Sequence, residues 1–167
     1  TETATSFVNE RQKVEVSLEK ALETSELFGV GNNDEIKNIS FGLFADEELV
    51  SASGTSIPKD GLIEIITLDE NGKATVKTDL PLGSYYVKEL ATDEHYQLSS
   101  EKYPVVFEYA GQETATVAIA VNNGEPMENK LIYGSVSGKK VDENGEGLGG
   151  ALIGLFKSDD VEFTEEN

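Results

Sequence analysis

Short segments of alternating apolar and polar residues constrain this chain more than any other feature. Residues 13–20 alternate without a break, so that Val14, Val16 and Leu18 point to one side and the residues between them to the other. A period of two residues is typical of a β-strand with one buried face. Short strands at regular spacing predict an all-β sandwich. Further strands are predicted at 39–44, 62–67, 74–78, 84–90, 103–109, 114–121, 127–132 and 135–141.

Two Asn-Gly pairs predict tight turns between these strands. Asn71-Gly72 and Asn144-Gly145 each end an Asp-Glu-Asn-Gly sequence, and Asn-Gly suits the positive backbone angles of a hairpin turn. Helical patterns are scarce, and only residues 18–27 have a composition that suits one or two helical turns.

Composition excludes most kinds of ligand and catalytic site. The chain has 32 acidic and 13 basic residues, for a net charge of −19, so neither nucleic acid nor an anionic membrane surface is an expected partner. It has no cysteine and one histidine, which excludes disulfides and thiolate metal sites and leaves little room for a histidine-based triad. No apolar run approaches 18 residues, so we expect no membrane insertion in this fragment. We predict no cofactor and no metal.

Spacing of asparagine and lysine residues indicates an internal repeat. Asn9 precedes Lys20 by 11 residues, Asn129 precedes Lys140 by the same interval, and the two pairs lie 120 residues apart. If the repeat is real, Asn9 and Lys140 belong to neighbouring units and have no partners of their own in this chain.

A second pair of similar segments occurs in the same order. Phe41-Gly42-Leu43-Phe44 matches Ile153-Gly154-Leu155-Phe156 at an offset of 112 residues. The first copy therefore carries eight extra residues, which fall in the polar segment 21–38, a sequence suited to a surface loop. Tandem β-units of this size are the layout of a stalk. We predict three parts: 1–9 is the last strand of a preceding repeat, 10–132 is a complete domain, and 133–167 holds the opening strands of a following, truncated repeat.

Three polar residues have the strand parity of buried positions. Lys20, Glu89 and Asn129 each share a strand face with apolar residues two positions away. A buried charge costs several kcal/mol unless it is paired or neutralised, so we expect the three to meet in the core. Other interpretations stay open: Lys20 can reach solvent from a strand end, Glu89 can be a surface carboxylate after an edge strand, and Asn129 can be a turn residue next to Pro126.

These residues resemble the Cna B-type (SpaA-like, prealbumin-like) domains of Gram-positive surface adhesins and pilins. That family has a first-strand lysine, a G-x-Y-x-x-x-E motif followed by Gly-Tyr, and a late asparagine. The matching segments here are Lys20, Phe41-Gly42-Leu43-Phe44, Leu82-Gly83-Ser84-Tyr85-Tyr86-Val87-Lys88-Glu89 with Tyr96, Met127-Glu128-Asn129-Lys130, residues 134–142 and Leu148-Gly149-Gly150-Ala151. The departures are His95 in place of the glycine before the tyrosine, the Gly149-Gly150 pair, and the insertion at 21–38.

The resemblance implies a Greek-key, prealbumin-like β-sandwich of about seven to nine strands. It also implies an intramolecular isopeptide bond from Lys20 Nζ to Asn129 Cγ, with Glu89 as the catalytic proton shuttle. Such a bond forms once, so the domain modifies itself and is not a turnover enzyme.

The implied function is that of a structural stalk domain in a bacterial adhesin or pilin. The expected location is extracellular, in a protein anchored to a Gram-positive cell wall, with the anchor outside this fragment. Expected partners are neighbouring repeats of the same protein, another copy in head-to-tail contact, and a host matrix or cell-surface ligand. The alternative is a binding module that presents loops 21–38 and 46–60 to a host protein or glycan.

Two weaker signals have simple explanations. Asp142, Asn144 and Glu146 hint at a calcium loop, but the full ligand pattern is absent and a solvated hairpin is the preferred interpretation. His95, the one histidine of the chain, is interpreted as a surface loop residue and not as a ligand or base.

Overall fold

Ten β-strands and two short 3-10 helices form the regular structure of residues 11–51 and 53–156, which are the residues that this computed structural model describes. The helices are Glu35–Asn38 and Val121–Gly124. The strands are β1 (Lys13–Leu22), β2 (Ser40–Ala45), β3 (Leu49–Val50), β4 (Ser56–Ile57), β5 (Leu62–Thr67), β6 (Lys73–Val76), β7 (Gly83–Ala91), β8 (Lys102–Phe107), β9 (Thr116–Ala120) and β10 (Met127–Asn129). The all-β prediction is confirmed.

Two sheets carry the fold. In the first, β1 is central: it pairs with β6 in antiparallel orientation on one side and with β9 and then β10 in parallel orientation on the other. In the second, the strand order is β5-β2-β7-β8 and every pair is antiparallel. The short strands β3 and β4 pair only with each other.

The core lies between the inward faces of the two sheets. Val14, Val16 and Leu18 on β1 belong to the same buried cluster as Phe41 and Leu43 on β2. The alternation read from residues 13–20 matches the burial of β1, whose even-numbered residues 14–20 are all buried. One apolar face per strand, covered by the opposite sheet, is what makes this sequence a sandwich.

β9 and β10 together cover one edge of the first strand. β9 pairs with Lys13–Ser17 and β10 with Lys20–Leu22. Between them, the turn at 121–124 holds Asn122 and Asn123 in left-handed backbone conformation, with φ of 53° and 56°. Parallel neighbours must be far apart in sequence, and here the end of the domain returns to lie beside its beginning.

The helix expected at 18–27 is absent, and β1 instead continues to Leu22. The backbone of Ala21 and Leu22 is in register with β10, and this pairing with a distant strand overrides local helical preference. The only helical turn of the 21–38 insertion is the 3-10 helix Glu35–Asn38.

The Asn71-Gly72 turn forms, with Gly72 at φ +74°, but its flanking strands do not pair with each other. β5 pairs with β2 in one sheet and β6 pairs with β1 in the other. The turn therefore carries the chain across the sandwich rather than closing a hairpin.

Contacts divide the chain into two units, Thr1–Ile132 and Tyr133–Asn167. Within residues 133–156 the strand predicted at 135–141 is absent. Only Val141 forms an isolated bridge, to Gly147, around a turn in which Asp142 Oδ1 accepts the N–H groups of Asn144 and Glu146. A strand needs hydrogen-bonded partners along its length, and within residues 133–156 this segment is bonded only at its end, where the Lys140 carbonyl oxygen accepts the Leu148 N–H and Val141 bridges to Gly147. The predicted strand at 1–9 lies outside the described residues.

Candidate functional site

The two sheets bring three buried polar side chains together at one end of the core. Lys20 on β1 is in register with Met127 on β10, and Asn129 follows two residues later. Because alternate residues of a strand share a face, Lys20 and Asn129 both project from the first sheet into the core. Glu89, on β7 of the second sheet, projects from the opposite side.

All three side chains are excluded from solvent. Lys20 is 4% exposed, and Glu89 and Asn129 are 2% exposed. The Nζ atom of Lys20 lies 3.7 Å from Oε1 of Glu89. Asn129 Nδ2 donates to the same Oε1 at 2.8 Å and to Oε2 at 3.0 Å. One carboxylate oxygen therefore faces both the amine and the amide nitrogen.

The remaining hydrogen bonds of the cluster come from the surrounding backbone and one hydroxyl. Lys20 Nζ donates to the carbonyl oxygen of Met127 at 2.9 Å. The backbone N–H of Ser99 donates to Glu89 Oε2 at 2.8 Å. Asn129 Nδ2 also donates to Thr92 Oγ1 at 3.0 Å. Among the described residues, every buried side-chain nitrogen and oxygen has a hydrogen-bond partner, so the cluster is a satisfied network of the kind that fixes side-chain positions.

Burial changes the protonation of the lysine. Removal of water from the Lys20 ammonium lowers the pKa of this group to about 8, although the nearby Glu89 carboxylate acts in the opposite direction. At pH 7 a lysine with that pKa is neutral in about one molecule in ten, far more often than a lysine in water. The site therefore holds a nucleophilic amine, an amide carbon and a group that can carry protons, all inside the core.

Thr92 and Ser99 are contacts that the sequence interpretation missed. Both lie after the end of β7, in a segment without strand periodicity. Their roles depend on how the chain folds back after Ala91, and nothing in their residue types indicates it.

His95 occupies the surface-loop position that was predicted, with its side chain about half exposed. Its Nδ1 atom lies 2.6 Å from Oδ1 of Asp93, a buried carboxylate that also accepts from Asn38 Nδ2 at 2.7 Å. The hydrogen bond to Asp93 raises the pKa of His95. Burial acts to raise the pKa of Asp93, but its hydrogen bonds with His95 and Asn38 outweigh that effect and hold this pKa below its ordinary value. The hydrogen bond from Asn38 to Asp93 joins the 21–38 insertion to the loop after β7.

Of the two repeat-equivalent residues, the structure describes Lys140 alone. Asn9 lies outside the described residues. Lys140 belongs to the second unit, where it is exposed and its carbonyl oxygen accepts the N–H of Leu148. Its lack of a partner in this chain stays a prediction.

The two loops proposed for binding are ordered by internal contacts. In 21–38, the Glu35 carboxylate accepts the backbone N–H groups of Gly31 and Asn33, while Leu27 and Phe28 are exposed. In 46–60, β3 and β4 form a small hairpin. No group of acidic or histidine side chains in the described part of the chain could hold a metal ion, and no helix there is long and apolar enough to cross a bilayer.

A model of a protein family matches residues 28–124 of this chain, under the description of a SpaA prealbumin-like fold domain. The matched region includes Glu89 and ends before Asn129. The chain is also 33% identical over 99 residues to the trypsin-resistant surface T6 protein of Streptococcus pyogenes serotype M6. That match covers 59% of this chain and 17% of the streptococcal protein, so the chain spans under a fifth of its relative's length.

Two solved structures are similar to this one at low sequence identity. The Bacillus anthracis TIE protein has a TM-score of 0.46 and 19% identity, over 74% of this chain and 18% of that one. The minor pilin GBS52 of Streptococcus agalactiae has a TM-score of 0.44 and 18% identity, over 75% of this chain and 48% of that one.

Proposed function

This chain belongs to the SpaA family of prealbumin-like fold domains, and from that premise we propose that it is a structural domain of a bacterial surface protein, closed by a covalent amide bond between Lys20 and Asn129. The observation that carries the proposal is the position of Glu89 Oε1, 3.7 Å from the lysine nitrogen and 2.8 Å from the amide nitrogen of Asn129. A group in that position can take a proton from one nitrogen and give a proton to the other.

The reaction begins with proton transfer from the Lys20 ammonium to the Glu89 carboxylate. The neutral Nζ then attacks Cγ of Asn129, and a bond forms between Nζ and Cγ. Glu89 returns its proton to Nδ2 and takes a second one from Nζ, the bond between Cγ and Nδ2 breaks, and ammonia leaves. Lys20 thus gives up two protons in all, one of which departs in ammonia and one of which ends on Glu89. The chain reacts once, so Glu89 is a catalytic residue without turnover.

Exclusion of water favours this reaction in two ways. It lowers the pKa of Lys20 to about 8, which eases transfer of the lysine proton to Glu89. The reaction also replaces a buried charge pair with a neutral amide and a neutral acid. Because a buried ion pair carries a large desolvation cost, the product is better suited to this core than the starting groups.

The bond would join neighbouring parallel strands from the two ends of the domain. It closes a loop of about 109 residues between Lys20 and Asn129. By analogy with a disulfide across a loop of that length, it stabilises the fold by about 4–5 kcal/mol. Tension applied outside Lys20 and Asn129 would pass through the bond and bypass the residues between them, which suits a stalk domain.

The relative named above is a surface protein, and this supports an extracellular location in a Gram-positive bacterium. We propose that the full protein is a pilin or adhesin anchored to the cell wall, with neighbouring repeats or further copies as its partners. The proposed sites of those contacts are the segments predicted to belong to neighbouring repeats, 1–9 and 133–167.

The test is the intact mass of the purified chain. Loss of one ammonia lowers the mass by about 17 Da, and digestion should release a peptide pair joined through Lys20 and Asn129. Glu89→Gln, which preserves shape but cannot carry the protons, should restore the uncross-linked mass apart from the substitution itself. The control is Glu108→Gln, at an exposed glutamate, which should retain the deficit. If the chain without substitutions shows its full mass, with no loss of ammonia, the proposal is wrong.

A second candidate function is protein binding by the 21–38 loop. Leu27 and Phe28 are adjacent and 84% and 59% exposed, at the tip of a turn closed by a bridge between Ser25 and Val30. A single aromatic side chain there favours a host protein over a glycan, since glycan binding relies on stacking against aromatic rings. Binding to host matrix proteins that is lost in Leu27→Ser/Phe28→Ser, and kept in Glu89→Gln, would support this function independently of the bond.

A further inference from the structure

Both hydrogens of the Asn129 amide nitrogen are engaged, and by different parts of the chain. One side of Nδ2 faces the Glu89 carboxylate, at 2.8 and 3.0 Å from its two oxygens. The other contact is with Thr92 Oγ1, at 3.0 Å. These are ordinary hydrogen-bond lengths, and the two acceptors lie three residues apart, one on β7 and one just beyond its end.

Two hydrogen-bond acceptors fix the orientation of the Asn129 amide plane, which a single acceptor would leave free to rotate. An amide group is planar, and a bond from one hydrogen alone allows the plane to swing about the bond between Cβ and Cγ. With the second hydrogen on Thr92, a rotation breaks both contacts. The orientation of the Asn129 amide plane is therefore set by Thr92 as well as by Glu89, and misorientation of reacting groups is costly in rate.

Thr92 is held in place by the turn that follows it. Asp93 Oδ1 accepts the backbone N–H of His95 at 3.1 Å, and the Tyr96 N–H donates to the Asp93 carbonyl oxygen at 3.0 Å. Asp93 Oδ2 accepts from Asn38, which anchors the turn to the insertion. Thr92 is therefore held in position by its neighbour Asp93, which is buried and whose two carboxylate oxygens both accept hydrogen bonds.

The same turn is bonded to the chain that follows Asn129. Tyr96 and Leu131 form an isolated antiparallel bridge, the Ile132 N–H donates to the His95 carbonyl oxygen at 2.8 Å, and the Gln97 N–H donates to the Lys130 carbonyl oxygen at 3.0 Å. The segments on the C-terminal sides of Thr92 and Asn129 are therefore held together by backbone hydrogen bonds.

We propose that Thr92 is a positioning residue for cross-linking, whose hydroxyl oxygen holds the departing nitrogen of Asn129 toward Glu89. The inference rests on the proposed function, since it concerns the same reaction. While the bond between Cγ and Nδ2 is intact, Thr92 orients the amide; as that bond breaks, its oxygen keeps accepting a hydrogen of the leaving nitrogen, so that the proton of Glu89 reaches Nδ2. Thr92 gains and loses no proton itself.

The test compares Thr92→Val, which keeps the shape and removes the acceptor, with Thr92→Ser, which keeps the acceptor and removes a methyl group. Full-length chain recovered uncross-linked in urea is refolded by dilution, and the mass deficit is followed over time. We expect Thr92→Val to react about three- to tenfold more slowly than the chain without substitutions, because that is the rate effect of losing the free energy of one neutral hydrogen bond. Thr92→Ser should react within about twofold of it, because its hydroxyl remains.

The pH dependence of the rate separates positioning from loosening of the core. Thr92 does not titrate, so Thr92→Val should lower the rate by the same factor at every pH and leave the midpoint near the Lys20 pKa of about 8. A midpoint that moves upward in Thr92→Val would mean that water has entered the site, and would overturn the inference.

Two further outcomes would also overturn it: equal rates for Thr92→Val and the unmodified chain, or equal slowing in Thr92→Val and Thr92→Ser. Both leave the proposed function intact. If the chain without substitutions never loses ammonia, both the proposed function and this inference are wrong.

Discussion

Lys20 Nζ and Glu89 Oε1 lie 3.7 Å apart across the two sheets, with each side chain only 1% exposed. A charge pair in such a position is weak evidence for stability, because desolvation offsets much of the attraction between the charges. Asn129, hydrogen-bonded to the same carboxylate, offers a way to remove both charges by forming a neutral amide. This arrangement is the starting state that the proposed cross-linking reaction requires.

Loss of the cross-link should lower the free energy of unfolding. Asn129→Ala leaves Lys20 without its amide partner, and the unfolded chain regains the freedom of a loop of about 109 residues. We expect a decrease of at least about 4 kcal/mol, from loop closure alone, measured by urea denaturation of both proteins. Equal denaturation midpoints would show that no bond spans the domain.

Cross-linking should slow as the pH rises above about 8. The proposed reaction starts with transfer of the Lys20 ammonium proton to Glu89, which later gives it to the departing nitrogen, so the site must hold that proton. Because the pKa of Lys20 is about 8, the proton is lost to solvent above that pH and the rate should fall. Refolding of urea-solubilised chain in buffers of increasing pH, sampled by intact mass, measures this profile. A rate that stays constant up to about pH 10 would place the Lys20 pKa near that of a lysine in water.

The uncross-linked fold should gain stability as the pH rises from about 8 to 10.5. In Asn129→Ala, Lys20 has a pKa of about 8 when folded and 10.5 when unfolded. Between these values the unfolded chain binds more protons, so the free energy of unfolding increases with pH, and the cost of burying the lysine is fully present only below pH 8.

The matched control for that experiment is Asn129→Ala/Lys20→Met, which lacks the titrating amine. The two proteins share every other titratable side chain, so the difference between the two urea denaturation series isolates Lys20. A difference that does not change with pH would contradict the lowered pKa.

Gly72→Ala should destabilise the domain next to the site. Gly72 has φ +74°, and a Cβ there would lie 2.5 Å from the Lys20 carbonyl oxygen. We expect a loss of about 1–3 kcal/mol from the backbone conformation, together with slower cross-linking because β1 must shift at Lys20. Urea denaturation and the mass time course measure the two effects.

Gly145→Ala is the control, in the identical Asp-Glu-Asn-Gly sequence. Gly145 has a similar φ of +84°, but a Cβ there meets nothing within 4 Å. We expect it to leave the unfolding of residues 11–132 and the rate of cross-linking unchanged. Equal effects of the two substitutions would show that the close approach of Gly72 to Lys20 has no consequence.

Strand positions were predictable because a half-buried strand must alternate. The period of two in residues 13–20 was enough to place Lys20 on the buried face, and the burial of β1 follows that pattern. Local patterns predict less well where pairing depends on distant partners. The composition of residues 18–27 suits one or two helical turns, yet β1 continues to Leu22, and the strand predicted at 135–141 is absent. Backbone hydrogen-bond partners are a property of the fold, and local composition does not encode them.

Sequence alone determined the fold class, the excluded chemistries and the residue types of the candidate site. A chain without cysteine, with one histidine and with inward-facing Lys20, Glu89 and Asn129 has few other ways to build a buried reactive cluster. Tertiary structure decided how these groups meet. The parallel pairing of β1 with β10 brings Lys20 beside Asn129, the opposite sheet supplies Glu89, and the loop after β7 adds Thr92. Those contacts join residues that lie far apart in the chain. Sequence periodicity cannot specify them, because it indicates only the direction in which each side chain points.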